Sequence, residues 1–131
     1  MSTEQDILKS FKIVAVVGLS ANEDRPSHEV AKYLQSHGYK IIPVNPKEVE
    51  VLGQTCYPDL KSVPVKVDVV NIFRRSEDVP PIIDQAIEIG AAAVWMQEGI
   101  RHEQAAEKAR LAGLKVVQDR CMLKEHIRMH G

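Results

Sequence analysis

The sequence predicts an α/β fold, a doubly wound parallel sheet of about five strands with helices on both faces. Three observations carry that expectation. Apolar, β-branched runs alternate along the chain with stretches of helical period. The runs are too apolar to be half exposed, as strands covered on both faces must be. Glycines stand where the helices should stop.

In chain order, residues 3–11 form a first helix, with Thr3 and Asp6 spaced as a variant capping box and Ile7, Leu8 and Phe11 facing inward. Residues 12–17 are the first strand, closed by Gly18. A polar loop then leads to Ser27, a good N-cap for a helix over 27–37 that sets Val30, Ala31 and Leu34 on one stripe and stops at Gly38. The second strand covers 40–45 and contains Pro43, which limits ladder bonding there. The segment 47–66 reads as a short extended piece over 49–57 and a turn of helix over 59–62. The third strand, 67–73, breaks off at Arg74 and Arg75. Ser76 caps a helix running to Ile89, with Pro80 and Pro81 in its first turn and Gly90 as its stop. Residues 92–96 are the fourth strand, 102–112 a helix, and 115–118 the fifth strand. The tail beyond Cys121 reads as short and polar.

At 131 residues and 44% apolar content, residues 1–131 fit one Rossmann-like domain with a real core. The strand order expected is 3-2-1-4-5, with the reversal between strands one and four, beside Gly18. The formal net charge of −1 gives no nucleic-acid footprint and no membrane-surface patch. No apolar run is long enough to span a bilayer, and the polar, acidic start is unlike a signal peptide, so a cytoplasmic protein is expected. Cys56 and Cys121 fall in no C-x-x-C pattern, which argues against a disulfide framework or a structural zinc site.

In this architecture the carboxyl ends of the strands converge on a ligand crevice. Here they carry Gly18, Leu19 and Ser20; Asn45, Pro46 and Lys47; Phe73, Arg74 and Arg75; Gln97, Glu98 and Gly99; and Asp119, Arg120 and Cys121. The natural occupant is an extended, phosphate-bearing small molecule. Backbone N–H groups at Gly18 and at the helix beginning near Ser27 would receive a pyrophosphate, and Arg25, Lys47 or Arg74 would meet further phosphate charge. The dinucleotide fingerprint needs three spaced glycines and an acidic residue about 20 residues on. Only Gly18 is present, and the second strand ends in Asn45, Pro46 and Lys47, so NAD fits poorly. A ribose bearing its own phosphate, as in NADP or coenzyme A, suits a basic residue there.

The blocks Val16-Val17-Gly18-Leu19-Ser20, Asp24-Arg25-Pro26-Ser27, Pro43-Val44-Asn45-Pro46, Val69 to Arg75, Trp95 to Ile100 and Asp119-Arg120-Cys121 together resemble the small stand-alone CoA-binding proteins. Those proteins are similar to the N-terminal CoA-binding domain of the succinyl-CoA synthetase alpha subunit. The likeness runs from about Phe11 to His126 and departs at Met122 to Glu125, where the alternation of basic and apolar residues is shifted. The resemblance implies that Gly18, Leu19 and Ser20 receive CoA phosphate, Asn45 to Lys47 the adenosine end, and Phe73, Arg74 and Gln97 the rest of the groove. It does not imply the synthetase reaction, which needs a phosphorylated histidine from another domain and a partner subunit.

Other readings stand beside this one. Arg25 could pair with Asp24 or Glu23, and one of Arg74 and Arg75 should make a structural ion pair. Trp95 should be core, with its indole N–H in need of a partner. His28, His37 and His102 read as helix-surface residues. His126 and His130 near Cys121 make a weak metal constellation at a chain terminus, and no metal is expected. No catalytic constellation can be made out, which favours binding without catalysis over the alternative of an NADP-dependent oxidoreductase. A CoA thiol-state sensor is a further alternative: Cys121, next to Arg120 on the groove edge, could form a mixed disulfide with CoA, with Cys56 as the rival sulfur. The sequence leaves a homo-oligomer open.

Overall fold

The computed structural model describes residues 2–130. These residues form five α-helices: α1 (Thr3–Ser10), α2 (Pro26–Ser36), α3 (Val79–Glu88), α4 (Glu103–Leu111) and α5 (Met122–His130). The strands are β1 (Ile13–Val17), β2 (Lys40–Val44), β3 (Glu50–Val51), β4 (Gln54–Thr55), β5 (Val69–Ile72), β6 (Ala93–Met96) and β7 (Lys115–Val117). Five of them form one sheet in the order β2-β1-β5-β6-β7, every pair parallel. This is a Rossmann-like α/β fold. No helix among the described residues is long and apolar enough to cross a membrane.

Alternation along the strands sorts the core into two layers. Val14 and Val16 of β1 face the side of α1, α2 and α5, where they pack with Leu8, Val30, Leu34 and Met122. Ala15 and Val17 face α3 and α4 with Val79, Ile83 and Ala109. Trp95 is fully buried in the first layer, and its Nε1 donates to the Arg120 carbonyl oxygen at 2.9 Å, the partner its indole requires.

The order 3-2-1-4-5 is not what forms. In that strand numbering the sheet runs 2-1-3-4-5, with β2 at the edge and β5 beside β1. Pro43 explains the placement. Tyr57 N–H donates to the Pro43 carbonyl, and the Tyr57 carbonyl accepts from Asn45 N–H, both on the side of β2 away from β1. Proline, lacking its own N–H on that side, can sit only at such an edge. β5, buried along its whole length, takes partners on both sides. The reversal therefore lies between β1 and β5, and Gly18 remains beside it.

Four local expectations also change. α2 is capped at Arg25 with Pro26 in its first turn, so Ser27 lies inside the helix. Ser2 caps α1, its side chain accepting from Gln5 N–H. Residues 76–78 form a 3₁₀ turn before α3, and Ser76 Oγ accepts from Arg101 N–H at 3.0 Å. The tail after Cys121 is a helix, because Met122 and His126 turn inward while Leu123 and Met129 pack at the margin. The loose segment 49–57 contains the β3–β4 hairpin, closed by Leu52 and Gly53, both at positive φ (54° and 75°) as a tight primed turn requires.

Candidate functional site

The carboxyl ends of β5 and β6 open into a groove of 630 Å³, walled by α2 on one side and by the start of α5 on the other. Phe73, Arg74 and Gln97 line it, as do Glu29, Cys121 and Lys124. A smaller cavity of 160 Å³ lies toward β2, against Val17, Val44, Pro46 and Asp59. Arg74 lines both. Arg75 pairs with Asp78 at 3.2 Å and Glu77 at 3.7 Å, while among the described residues no carboxylate lies within 4.0 Å of Arg74. The two arginines thus divide their roles: Arg75 is the ion-paired one, and Arg74 is a half-buried cation facing the space between two cavities.

Gly18, Leu19 and Ser20 form a turn held by the protein itself. Gly18 N–H donates to Val44 O at 2.8 Å, and Ser20 N–H donates to Ser27 Oγ at 3.1 Å. His28 is buried, not a surface residue, because its Nδ1 donates to Ser20 O at 2.9 Å. Asn45, also buried, donates from Nδ2 to Leu19 O at 3.0 Å and accepts from Lys47 N–H at 3.0 Å. It joins the tips of β1 and β2. Ala21 N–H donates to the Glu48 carboxylate at 2.8 Å, so one donor of the loop already holds an anion.

The requirement for glycine at position 18 comes from the backbone. Its φ is +91°, and a Cβ there would run into the carbonyl oxygen of Phe73. The tips of β1 and β5 can approach only because no side chain intervenes. A charged substitution at Gly18 would therefore disturb the fold as well as any phosphate nearby.

Of the residues singled out in the sequence, Phe73, Arg74 and Gln97 come together in the larger groove, and Pro46 lines the smaller cavity with Arg74. Gly18, Leu19, Ser20, Ser27 and Asn45 line neither cavity and instead brace the loops at the tips of β1 and β2. Arg25 and Lys47 are exposed and line neither cavity. Sequence reasoning missed Glu29, Leu123 and Lys124. Lys124 donates to Glu98 at 2.8 Å across the mouth of the groove, and that contact, with the Glu98 charge, raises its pKa. For Leu123 and Lys124 the signal was the amphipathic tail, obscured because two of its inward positions are the polar Glu125 and His126.

His126 faces α2 from α5, with Tyr33 OH and its Nδ1 2.7 Å apart and the His37 and His130 rings within 5.2 and 4.4 Å, centroid to centroid. His102 caps α4, its Nδ1 accepting from Ala105 N–H at 3.1 Å.

Residues 12–127 match the family model described as a CoA binding domain. The chain belongs to that family. It is 41% identical over 122 residues to the uncharacterized protein YneT of Bacillus subtilis, covering 93% of this chain and 90% of that protein. A hypothetical protein from Pyrococcus horikoshii superposes with a TM-score of 0.95 at 41% identity, over 100% of this chain and 94% of that one. The ADP-forming acetate–CoA ligase I of Archaeoglobus fulgidus is 27% identical over 121 residues, which is 85% of this chain but 18% of the ligase. The apo dinucleotide-forming acetyl-coenzyme A synthetase 1 of Candidatus Korarchaeum cryptofilum gives a TM-score of 0.71 at 28% identity, over 80% of this chain and 25% of that one. The CoA-binding family inferred from the six sequence blocks is thus the family to which the chain belongs.

Proposed function

We propose that this protein binds coenzyme A or an acyl-CoA along the carboxyl edge of the sheet, as a binding protein without catalysis of its own. The observation that carries the reading is Arg74, a cation without a carboxylate partner among the described residues that lines both cavities. A guanidinium in that place suits a pyrophosphate, with an apolar-walled groove on one side for the pantetheine arm and a smaller cavity on the other for the adenosine end. Gly18, Leu19, Ser20 and Ser27 set the turn beneath the phosphates, and Asn45 holds Pro46 and Lys47 toward the adenosine end. Arg25 and Lys47, being exposed, meet phosphate charge at the rim. The ligases' activity belongs to proteins of which this chain spans about a fifth or a quarter.

Calorimetry with CoA, acetyl-CoA and NADP tests the reading. Saturable binding of CoA is expected, and Arg74→Gln should weaken it by at least about tenfold, the worth of one charge-assisted contact. Saturable binding of NADP alone would overturn it and favour the nicotinamide alternative.

A further inference from the structure

Two side chains of β6 and its carboxyl end fix the backbone on either side of Cys121. Trp95 Nε1 donates to Arg120 O at 2.9 Å, and Gln97 Oε1 accepts from Met122 N–H at 3.3 Å. Between these anchors Cys121 is half-buried and lines the larger groove. Gln97 is 5% exposed, and its oxygen also accepts from Asn71 Nδ2 at 3.2 Å. Among the described residues nothing accepts from Gln97 Nε2. Gln97 Nε2 keeps some contact with solvent, Asn71 Oδ1 being the one sealed side-chain polar atom without a partner among the described residues, and a groove ligand with a carbonyl would match the free amide donor. A thiol and an unmatched amide donor therefore share one wall of a cavity.

Cys56 differs in each respect. It is buried, its Sγ donates to Asn45 O at 3.4 Å, burial pushes its thiol pKa up, and it lies away from this groove.

We propose that Cys121 is a thiol–disulfide exchange site for the sulfur end of CoA, with Gln97 Nε2 donating to an amide carbonyl of the pantetheine arm. This rests on the CoA reading of the groove. The co-reactant is a CoA disulfide. The Cys121 thiolate, its proton released to solvent, attacks one sulfur of that disulfide. A Cys121–S–S–CoA bond forms, the original S–S bond breaks, and the second CoA leaves as its thiolate. The Cys121 sulfur is oxidised and the departing sulfur is reduced, so no other oxidant is needed. A thiol reductant reverses the step.

The test is intact-mass analysis of the reduced full chain exposed to CoA disulfide and, in parallel, to oxidised glutathione. One CoA adduct is expected, forming at least about ten times faster than the glutathione adduct because the groove holds the CoA moiety beside the sulfur. It should persist in Cys56→Ser and be absent from Cys121→Ser. No adduct, equal rates with the two disulfides, or an adduct that survives Cys121→Ser would overturn the inference. Calorimetry of the wild-type protein with reduced CoA separates the two levels: binding without an adduct removes the exchange site alone, and absence of both removes the CoA reading as well.

Discussion

The α-carbon of Gly18 faces the carbonyl oxygen of Phe73 so closely that no side chain fits between the tips of β1 and β5. The two strands meet at the topological switch, so this approach fixes the backbone at Phe73, which lines the groove. Gly18→Ala should cost roughly 2 kcal/mol or more in urea unfolding, from the positive φ and the displaced Phe73 peptide together. Unchanged stability would show that the strand tips can part without loss. The same clash means that weak CoA binding by Gly18→Asp could not be attributed to phosphate repulsion alone.

Asn45 links the tip of β1 to that of β2. Its amide nitrogen donates to Leu19 O and its oxygen accepts from Lys47 N–H. Asn45→Ala removes both bonds and strands the Leu19 carbonyl, for an expected loss of about 1–3 kcal/mol. CoA affinity should fall with it, since the turn over Gly18, Leu19 and Ser20 loses its brace. A variant that unfolds like the wild type would show that the brace is redundant with the Ser20–Ser27 contact.

The legible parts of this molecule are those written in local pattern. The five strands, the turn at Gly18 and the need of Trp95 for a hydrogen-bond partner come from β-branched runs, a glycine and an indole N–H. The order of the strands depends on which edge is left over, and that is decided by Pro43 and the covering bonds of Tyr57, which reach back across a loose stretch of chain. Phe73, Arg74 and Gln97 are recognisable as groove residues because they stand at strand ends. Glu29, Leu123 and Lys124 are not, because they reach the groove from helices, one of which packs through His126 and Glu125 at positions where leucine would mark an inward face.

That tail helix gives the protein a pH dependence. Burial, then the neighbouring charges of His130, His37 and Lys12, hold the His126 imidazole below its ordinary pKa. The folded state therefore resists protonation where the unfolded chain accepts it, and the unfolded state binds more protons as pH falls past about 6.5. Stability from this site is fully present above that value and is lost as pH drops through the lowered folded pKa. Thermal melts between about pH 8 and about pH 5 should show the decline, and His126→Gln should flatten it. An equally steep decline in His126→Gln would assign the effect to other groups.

Gln97 offers the sharpest separation of structure from ligand contact. Its oxygen serves the fold, accepting from Asn71 Nδ2 and Met122 N–H, whereas its nitrogen has no acceptor among the described residues. Gln97→Leu deletes both accepted bonds and should destabilise by about 1–3 kcal/mol. Gln97→Glu keeps an oxygen for both donors but replaces the amide NH₂ with an acceptor. If that NH₂ meets a pantetheine carbonyl, Gln97→Glu loses the donor and sets two acceptors against each other. CoA affinity should then fall by at least about tenfold while urea stability falls less than in Gln97→Leu. Calorimetry and unfolding on the same two variants decide the matter: CoA affinity in Gln97→Glu equal to wild type would mean that the amide nitrogen faces solvent in the groove and that the pantetheine arm runs elsewhere.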